Sequence, residues 1–167
     1  MPLIALADPS QNEFLASLEA KAKQPNPFFR AMALRPDVLK NFVPLYAALM
    51  GPGTVERRLK SLLYLACSLA NRCAFCIAAN TPGARKAGVT EQELQALKDE
   101  WDDIFSDAER AAIRYARELT RTADGMASRA GLAGHFSDEQ IAEITLVISM
   151  ANFTNRFNNG LQIVPEG

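Results

Sequence analysis

Arg58-Leu59-Lys60-Ser61-Leu62-Leu63-Tyr64-Leu65-Ala66-Cys67-Ser68-Leu69-Ala70-Asn71-Arg72-Cys73-Ala74-Phe75-Cys76 is the stretch on which the fold turns. Its first part has the composition of a buried helix, expected over about 55–70. Thr54 stands in front as an N-cap, and Glu56 falls in the first turn, where the macrodipole favours an anion. Asn71-Arg72 reads as a short break, followed by a second helix over about 73–87. Gly88 is placed to end that helix in the left-handed conformation.

Working outward, helical signals recur and strand signals do not. Thr90–Glu93, Ser106–Glu109 and Ser137–Gln140 each match the capping box, a hydroxyl at the helix start answered by Glu or Gln three residues later. Val89 with Leu94 and Phe136 with Ile141 form hydrophobic staples at two of them. Upstream, 10–23 is an amphipathic helix with Phe14, Leu15 and Leu18 on one side, stopped by Pro25-Asn26-Pro27. Pro36 opens a helix to about Met50, closed by Gly51-Pro52-Gly53. Residues 124–136 are loop-rich and have room for one more short helix. There is no alternating strand pattern, no phosphate-binding glycine loop and no repeat. The expectation is an all-α chain, a single domain over 1–167 in which 1–27 is an N-terminal extension helix.

Composition narrows the function. The chain has 167 residues, with 18 Lys+Arg against 19 Asp+Glu. Nothing in that balance supplies the cationic block that a nucleic-acid backbone requires. No apolar run approaches the ~20 residues of a spanning helix, and the N-terminus lacks the charged and apolar regions of a signal peptide. The three cysteines are too few for a disulfide framework and suit a reducing compartment. Cytoplasmic location, no nucleic acid and no membrane are the expectations.

Cys73-Ala74-Phe75-Cys76 is the one motif with chemical content. Residues at i and i+3 share a helix face, so both sulfurs can point the same way and close a disulfide. The thiolate is the reactive form, and a helix N-terminus stabilises it. With the helix starting near Arg72, Cys73 is the thiol expected to gain most, and Arg72 adds positive charge. The alternatives are two buried core cysteines, free Cys being among the most buried residue types, or a zinc site. Zinc needs four ligands, and only Cys67 and His135 remain to complete the set. No metal and no cofactor are expected. A thioredoxin-like setting is disfavoured because the βαβ context is missing.

The same stretch, with Ala87-Gly88-Val89-Thr90 and Asn152-Phe153-Thr154-Asn155-Arg156-Phe157, resembles the AhpD-like alkylhydroperoxidase branch of the carboxymuconolactone decarboxylase superfamily. The likeness covers about residues 28–160 and is most specific at the cysteine pair. It implies an AhpD-like helical bundle that assembles as a homo-oligomer, a trimer or hexamer. It also implies that Cys76 attacks a peroxide substrate, that Cys73 resolves the sulfenic acid as a disulfide, and that a dithiol or protein reductant restores the pair. The implied order is opposite to the dipole argument. Two positions depart from the family pattern, which has Glu twelve residues before the first cysteine and His four after the second. Here they are Ser61 and Asn80. Neither side chain titrates near neutrality, so the proton relay worth about 10²–10⁴-fold is absent from them. The Asn80 amide can still donate to a thiolate, and Ser61 can hold a water. The implied function is a thiol-dependent peroxidase of weakened activity, with a non-catalytic or redox-sensing oligomer as the alternative. Decarboxylation is weaker, since no acid–base histidines are supplied.

Other residues take plainer readings. Glu56 lies on the wrong side of its helix to replace the family carboxylate, and His135 reads as an exposed loop residue. Glu118 and Glu143 would reach the cysteines only through another subunit. Cys67 is expected to pack as a small apolar side chain. Asn152, Asn155, Arg156 and Asn159 share one helix face, to be solvated, to meet a neighbour or to line the cysteine pocket. Tyr64 and Trp101 need polar partners if buried.

Overall fold

The computed structural model describes residues 1–165, so the last two residues of the expected 1–167 domain lie outside it. Among the described residues the chain is all-helical: α1 (Glu13–Ala22), α2 (Pro27–Met32), α3 (Pro36–Met50), α4 (Arg57–Ala70), α5 (Ala74–Lys86), α6 (Glu91–Asp99), α7 (Asp107–Thr122), α8 (Arg129–Ala133) and α9 (Asp138–Gly160). None of these helices is long and apolar enough to cross a membrane.

Helix α4 is the axis of the bundle. Every residue from Leu59 to Ser68 is buried, because α5, α6, α7 and α9 pack around it. A helix covered on all sides needs apolar residues all round rather than one stripe, which is what Leu62, Leu63, Leu65, Ala66 and Cys67 provide. Each fully buried leucine is worth about 1.5–3 kcal/mol. Cys67 is part of this core, and burial pushes its thiol up to about 11.

All three capping boxes form as expected. Two are tied to the axis by one side chain: Arg58 reaches the carboxylates of Glu93 at 2.5 Å and Glu109 at 2.9 Å. Gly88 is left-handed at φ 91° and closes α5 through Gly88 N–H to Arg85 O and Val89 N–H to Ala84 O, both 3.0 Å.

The entrance to α4 differs from the expectation. The helix starts at Arg57, and its N-cap, Glu56, makes no side-chain cap bond. The Thr54 hydroxyl instead donates to Glu143 of α9 at 2.6 Å, and the Thr54 and Val55 amides donate to the same oxygen at 2.7 and 3.2 Å. Glu143 also pairs with Lys60, which is fully buried in α4. The Lys60 ammonium donates to Leu49 O at 2.9 Å and Gly51 O at 2.8 Å, taking up carbonyls left open where α3 ends. A Cβ on Gly53 would meet the Glu143 carboxylate at 2.1 Å, so a side chain there would have to push that carboxylate out of its place. Sequence periodicity read the first helix as 10–23. It begins at Glu13, because Asn12 and not Ser10 caps it, and Pro9–Gln11 forms a 3-10 turn. Pro27 does not merely stop a helix; it opens α2 at N1, with Asn26 as the cap.

Candidate functional site: a thiol pair behind aromatic rings

The turn between α4 and α5 places the cysteines. Cys73 N–H bonds Ser68 O at 2.9 Å and Arg72 N–H bonds Leu69 O at 3.0 Å, a Schellman closure with Arg72 left-handed at φ 54°. Asparagines from α9 brace this turn. The Asn71 amide donates to Asn152 Oδ1 and Asn155 Oδ1, both at 3.0 Å, and Asn159 Nδ2 donates to Asn71 O at 2.8 Å. Asn155 Nδ2 donates to Ser68 Oγ at 3.1 Å. The polar face of α9 is therefore a brace for the chain reversal and not simply a solvated surface.

Because α5 begins at Ala74, Cys73 is its N-cap rather than a first-turn residue, and Cys76 occupies N3. This reverses the order expected from the dipole. Cys73 is wholly buried, and its sulfur accepts from Cys76 N–H at 3.4 Å. Its thiol also donates toward Cys76, which with burial drives the Cys73 thiol far above its ordinary value. Cys76 is the acidic member. The hydrogen bond from Cys73 comes first among the causes, burial opposes it, and donors from Asn158, Asn155 and Thr154 add to it. The result is a thiol lowered to about 7. Asn158 Nδ2 lies 3.2 Å from Cys76 Sγ. Every one of these donors is a neutral group.

Both sulfurs are buried, but Cys76 lines a cavity. That cavity measures about 140 Å³, similar to the ~150 Å³ apolar cavity that accommodates benzene. Six rings surround it, Phe28, Phe29, Phe42, Tyr46, Tyr64 and Phe75, with Asn26, Asn80, Thr154 and Asn158 as polar members. The rings meet one another, Phe28 to Phe42 at 5.3 Å edge-on and Phe42 to Tyr46 at 5.7 Å stacked. The Tyr64 hydroxyl pairs with Thr154 Oγ1 at 2.5 Å. Burial keeps its phenol far above the usual value, so it remains a protonated donor.

The two departing positions, Ser61 and Asn80, line one neighbouring cavity. Asn80 does not donate to the thiol. Its amide donates to the backbone carbonyl of Cys76 at 2.8 Å, and its oxygen accepts from Tyr46 OH at 3.2 Å. The Ser61 hydroxyl donates to Arg57 O at 3.0 Å. Glu143 is committed to Lys60 and Thr54, Glu118 accepts from Ser128 and the Ala127 amide, and Glu56, His135 and Trp101 are exposed. Among the described residues no group of three or more His, Cys, Asp or Glu side chains is placed to hold a metal ion.

Sequence reading missed Asn158, Thr154 and Tyr46. The available signal was the 3.6-residue period: Thr154 and Asn158 are four apart on α9 and share a face one step round from Asn155 and Asn159. Replacing Asn158 by alanine removes one donor to the thiolate. The expected result is a rise of about one unit in the Cys76 titration, since a hydrogen bond to a charged group is worth roughly 1.5–3 kcal/mol. The pH dependence of iodoacetamide alkylation reads this out; an unchanged midpoint would remove Asn158 from the groups that set thiol acidity.

The model of the Carboxymuconolactone decarboxylase family matches residues 36–118. The uncharacterized protein YdfG of Bacillus subtilis (strain 168) is 32% identical over 112 residues, which cover 63% of this chain and 74% of YdfG. Among solved structures, an alkylhydroperoxidase AhpD core, an uncharacterized peroxidase-related protein from Ralstonia eutropha JMP134, superposes with a TM-score of 0.85 at 19% identity, covering 99% of this chain and 92% of that one. The debrominase Bmp8 superposes with a TM-score of 0.84 at 22% identity over 99% and 92% of the two chains.

Proposed function

Since the chain belongs to the carboxymuconolactone decarboxylase family, we propose that it is a thiol-dependent oxidoreductase reducing hydroperoxides through Cys76 and Cys73. One observation carries this reading: Cys76, lowered to about 7, lines a cavity while a still-protonated Cys73 hydrogen-bonds to it. A thiol near that value is about half thiolate at neutral pH, and thiolate is the nucleophile.

In this reading the Cys76 thiolate attacks the terminal peroxide oxygen. The O–O bond breaks, an S–O bond forms, and the alcohol leaves with a proton drawn from the Tyr64–Thr154 hydroxyl pair and ultimately from solvent. The sulfenic acid that remains has an acceptor at hand. Asn158 Oδ1 is the one buried side-chain polar atom among the described residues without a hydrogen-bond partner. Cys73 then attacks the Cys76 sulfur, water departs and a disulfide forms, which a dithiol or protein reductant cleaves. With Ser61 and Asn80 in place of titratable groups, proton transfer is slow and turnover modest. Function as a homo-oligomer, a trimer or hexamer, is part of the same proposal, with light scattering as the measurement.

Intact-mass spectrometry after one equivalent of hydroperoxide tests the chemistry. The expected product has lost two hydrogens through a Cys73–Cys76 disulfide, regains them with a dithiol, and cycles under excess peroxide. A disulfide that forms without cycling would leave a redox sensor, and thiols that never react would end the proposal. A second reading follows from the six aromatic walls and the likeness to a debrominase: the same dithiol reducing a brominated ring, with hydrogen replacing bromine and disulfide and bromide as products. Bromide release from a bromopyrrole, in place of peroxide consumption, would favour it.

A further inference from the structure

A second cavity of about 230 Å³ also has the hydrogen-bonded Tyr46 and Asn80 in its lining. It shares Tyr46, Tyr64, Ala79 and Asn80 with the cysteine cavity, so the two adjoin at these side chains. Their linings differ in charge. No charged side chain lines the cysteine cavity, and Arg57 is the single one lining its neighbour. Its neighbour Arg58 is committed to Glu93 and Glu109, and Arg117 of α7 to Asp102. Arg57 has no carboxylate partner among the described residues. Burial raises the Tyr46 phenol, and Arg57 is close enough to oppose that rise slightly. Ser61, where a longer acid would fill the space and neutralise the guanidinium, leaves this cavity open and uncharged apart from Arg57.

We propose that this second cavity is a carboxylate subsite: Arg57 receives the carboxylate of a substrate whose apolar, ring-sized body lies among the aromatic side chains at Cys76. The inference rests on the reading of Cys76 as the reacting thiol and adds the class of molecule it meets, a monoanionic organic acid carrying the reactive group at its apolar end. A guanidinium forks onto a carboxylate through two parallel hydrogen bonds. One arginine suits one negative charge. A phosphate monoester carries about two, and a site built for it gathers several donors or cations. The aromatic cavity supplies burial for the body of the ligand but no partner for a charge, so the acid must point away from the sulfur.

Two matched pairs of probes test this. The first compares cumene hydroperoxide with its 4-carboxylate in steady-state turnover. The acid is expected to show a KM about tenfold lower, the size of one charge-assisted hydrogen bond. That preference collapses to near unity in Arg57→Gln and is partly kept in Arg57→Lys. The second pair does not need turnover: 4-isopropylbenzoate against 4-isopropylbenzamide as protectants of Cys76 from iodoacetamide. The acid is expected to protect at about tenfold lower concentration, again only with a cation at position 57. Equal protection by acid and amide, protection by neither, or a preference that survives Arg57→Gln would overturn the subsite. Peroxide turnover without an acid preference would sink the subsite and spare the peroxidase reading. Arg57-dependent protection with no turnover would do the reverse.

Discussion

Replacing Cys76 by serine is expected to bring hydroperoxide consumption down to the background of peroxide and dithiol without protein. A serine hydroxyl stays protonated near neutrality and is a poor nucleophile without an adjacent base, and Ser61 and Asn80 supply none. Cys73→Ser should behave differently. Its Cys76 still meets the peroxide, so one equivalent is consumed per chain in a rapid phase and a sulfenic acid accumulates, trappable by dimedone. Steady-state turnover then falls by at least about tenfold, because an external thiol must replace a resolving thiol held in contact, an intramolecular advantage of the kind that orientation confers. The serine hydroxyl can still donate to Cys76 in that variant; Cys73→Ala removes the donor, the foremost cause of the acidity of Cys76, and there the alkylation midpoint should move up. A burst retained in Cys76→Ser and lost in Cys73→Ser would exchange the two roles. Wild-type turnover in both would remove the thiols from the reaction.

The second large effect is on stability. Glu143→Ala strips the buried Lys60 ammonium of its counter-charge and frees the Thr54 and Val55 amides. Removing one member of a buried pair costs about 3–5 kcal/mol. The two carbonyls still bound to Lys60 place this case near the lower end. A domain of this size has about 5–15 kcal/mol in total, so urea unfolding should show a sharply lowered midpoint at pH 7. Lys60→Met with Glu143→Leu, which removes both charges, should recover part of the loss. The pH dependence has a definite sign. Burial alone would raise the Glu143 carboxyl, but Lys60 and Thr54 hold it down at about 2. The unfolded chain releases that proton near 4.3. The stabilisation is therefore complete above about pH 4.3 and is lost as pH falls through 2. The gap between wild type and Glu143→Ala should narrow over that interval; a gap that is constant with pH would mean the pair contributes nothing beyond packing.

Helix starts with reciprocal capping were legible because their signal is local: Thr90, Ser106 and Ser137 are capped by residues three positions on. So was α3, bounded by Pro36 and Gly51. Thr54 looked like the same kind of signal, yet its hydroxyl serves a carboxylate 89 residues away, and no window of neighbouring residues contains that fact. The candidate site divides along the same line. The cysteine pair and the two departing positions are visible in sequence. The acidity order is not, because it depends on a one-residue shift of the α5 start and on donors from α9. The cavity walls come from α2, α3, α4, α5 and α9, brought together only by packing around α4.

The wholly neutral character of the groups around Cys76 sets how the protein meets its surroundings. Amide and hydroxyl dipoles keep their strength when the buffer is concentrated or diluted, whereas a thiolate stabilised by a lysine or an imidazolium weakens with ionic strength. The reactive sulfur of this chain thus carries its acidity within its own scaffold, indifferent to the electrolyte outside.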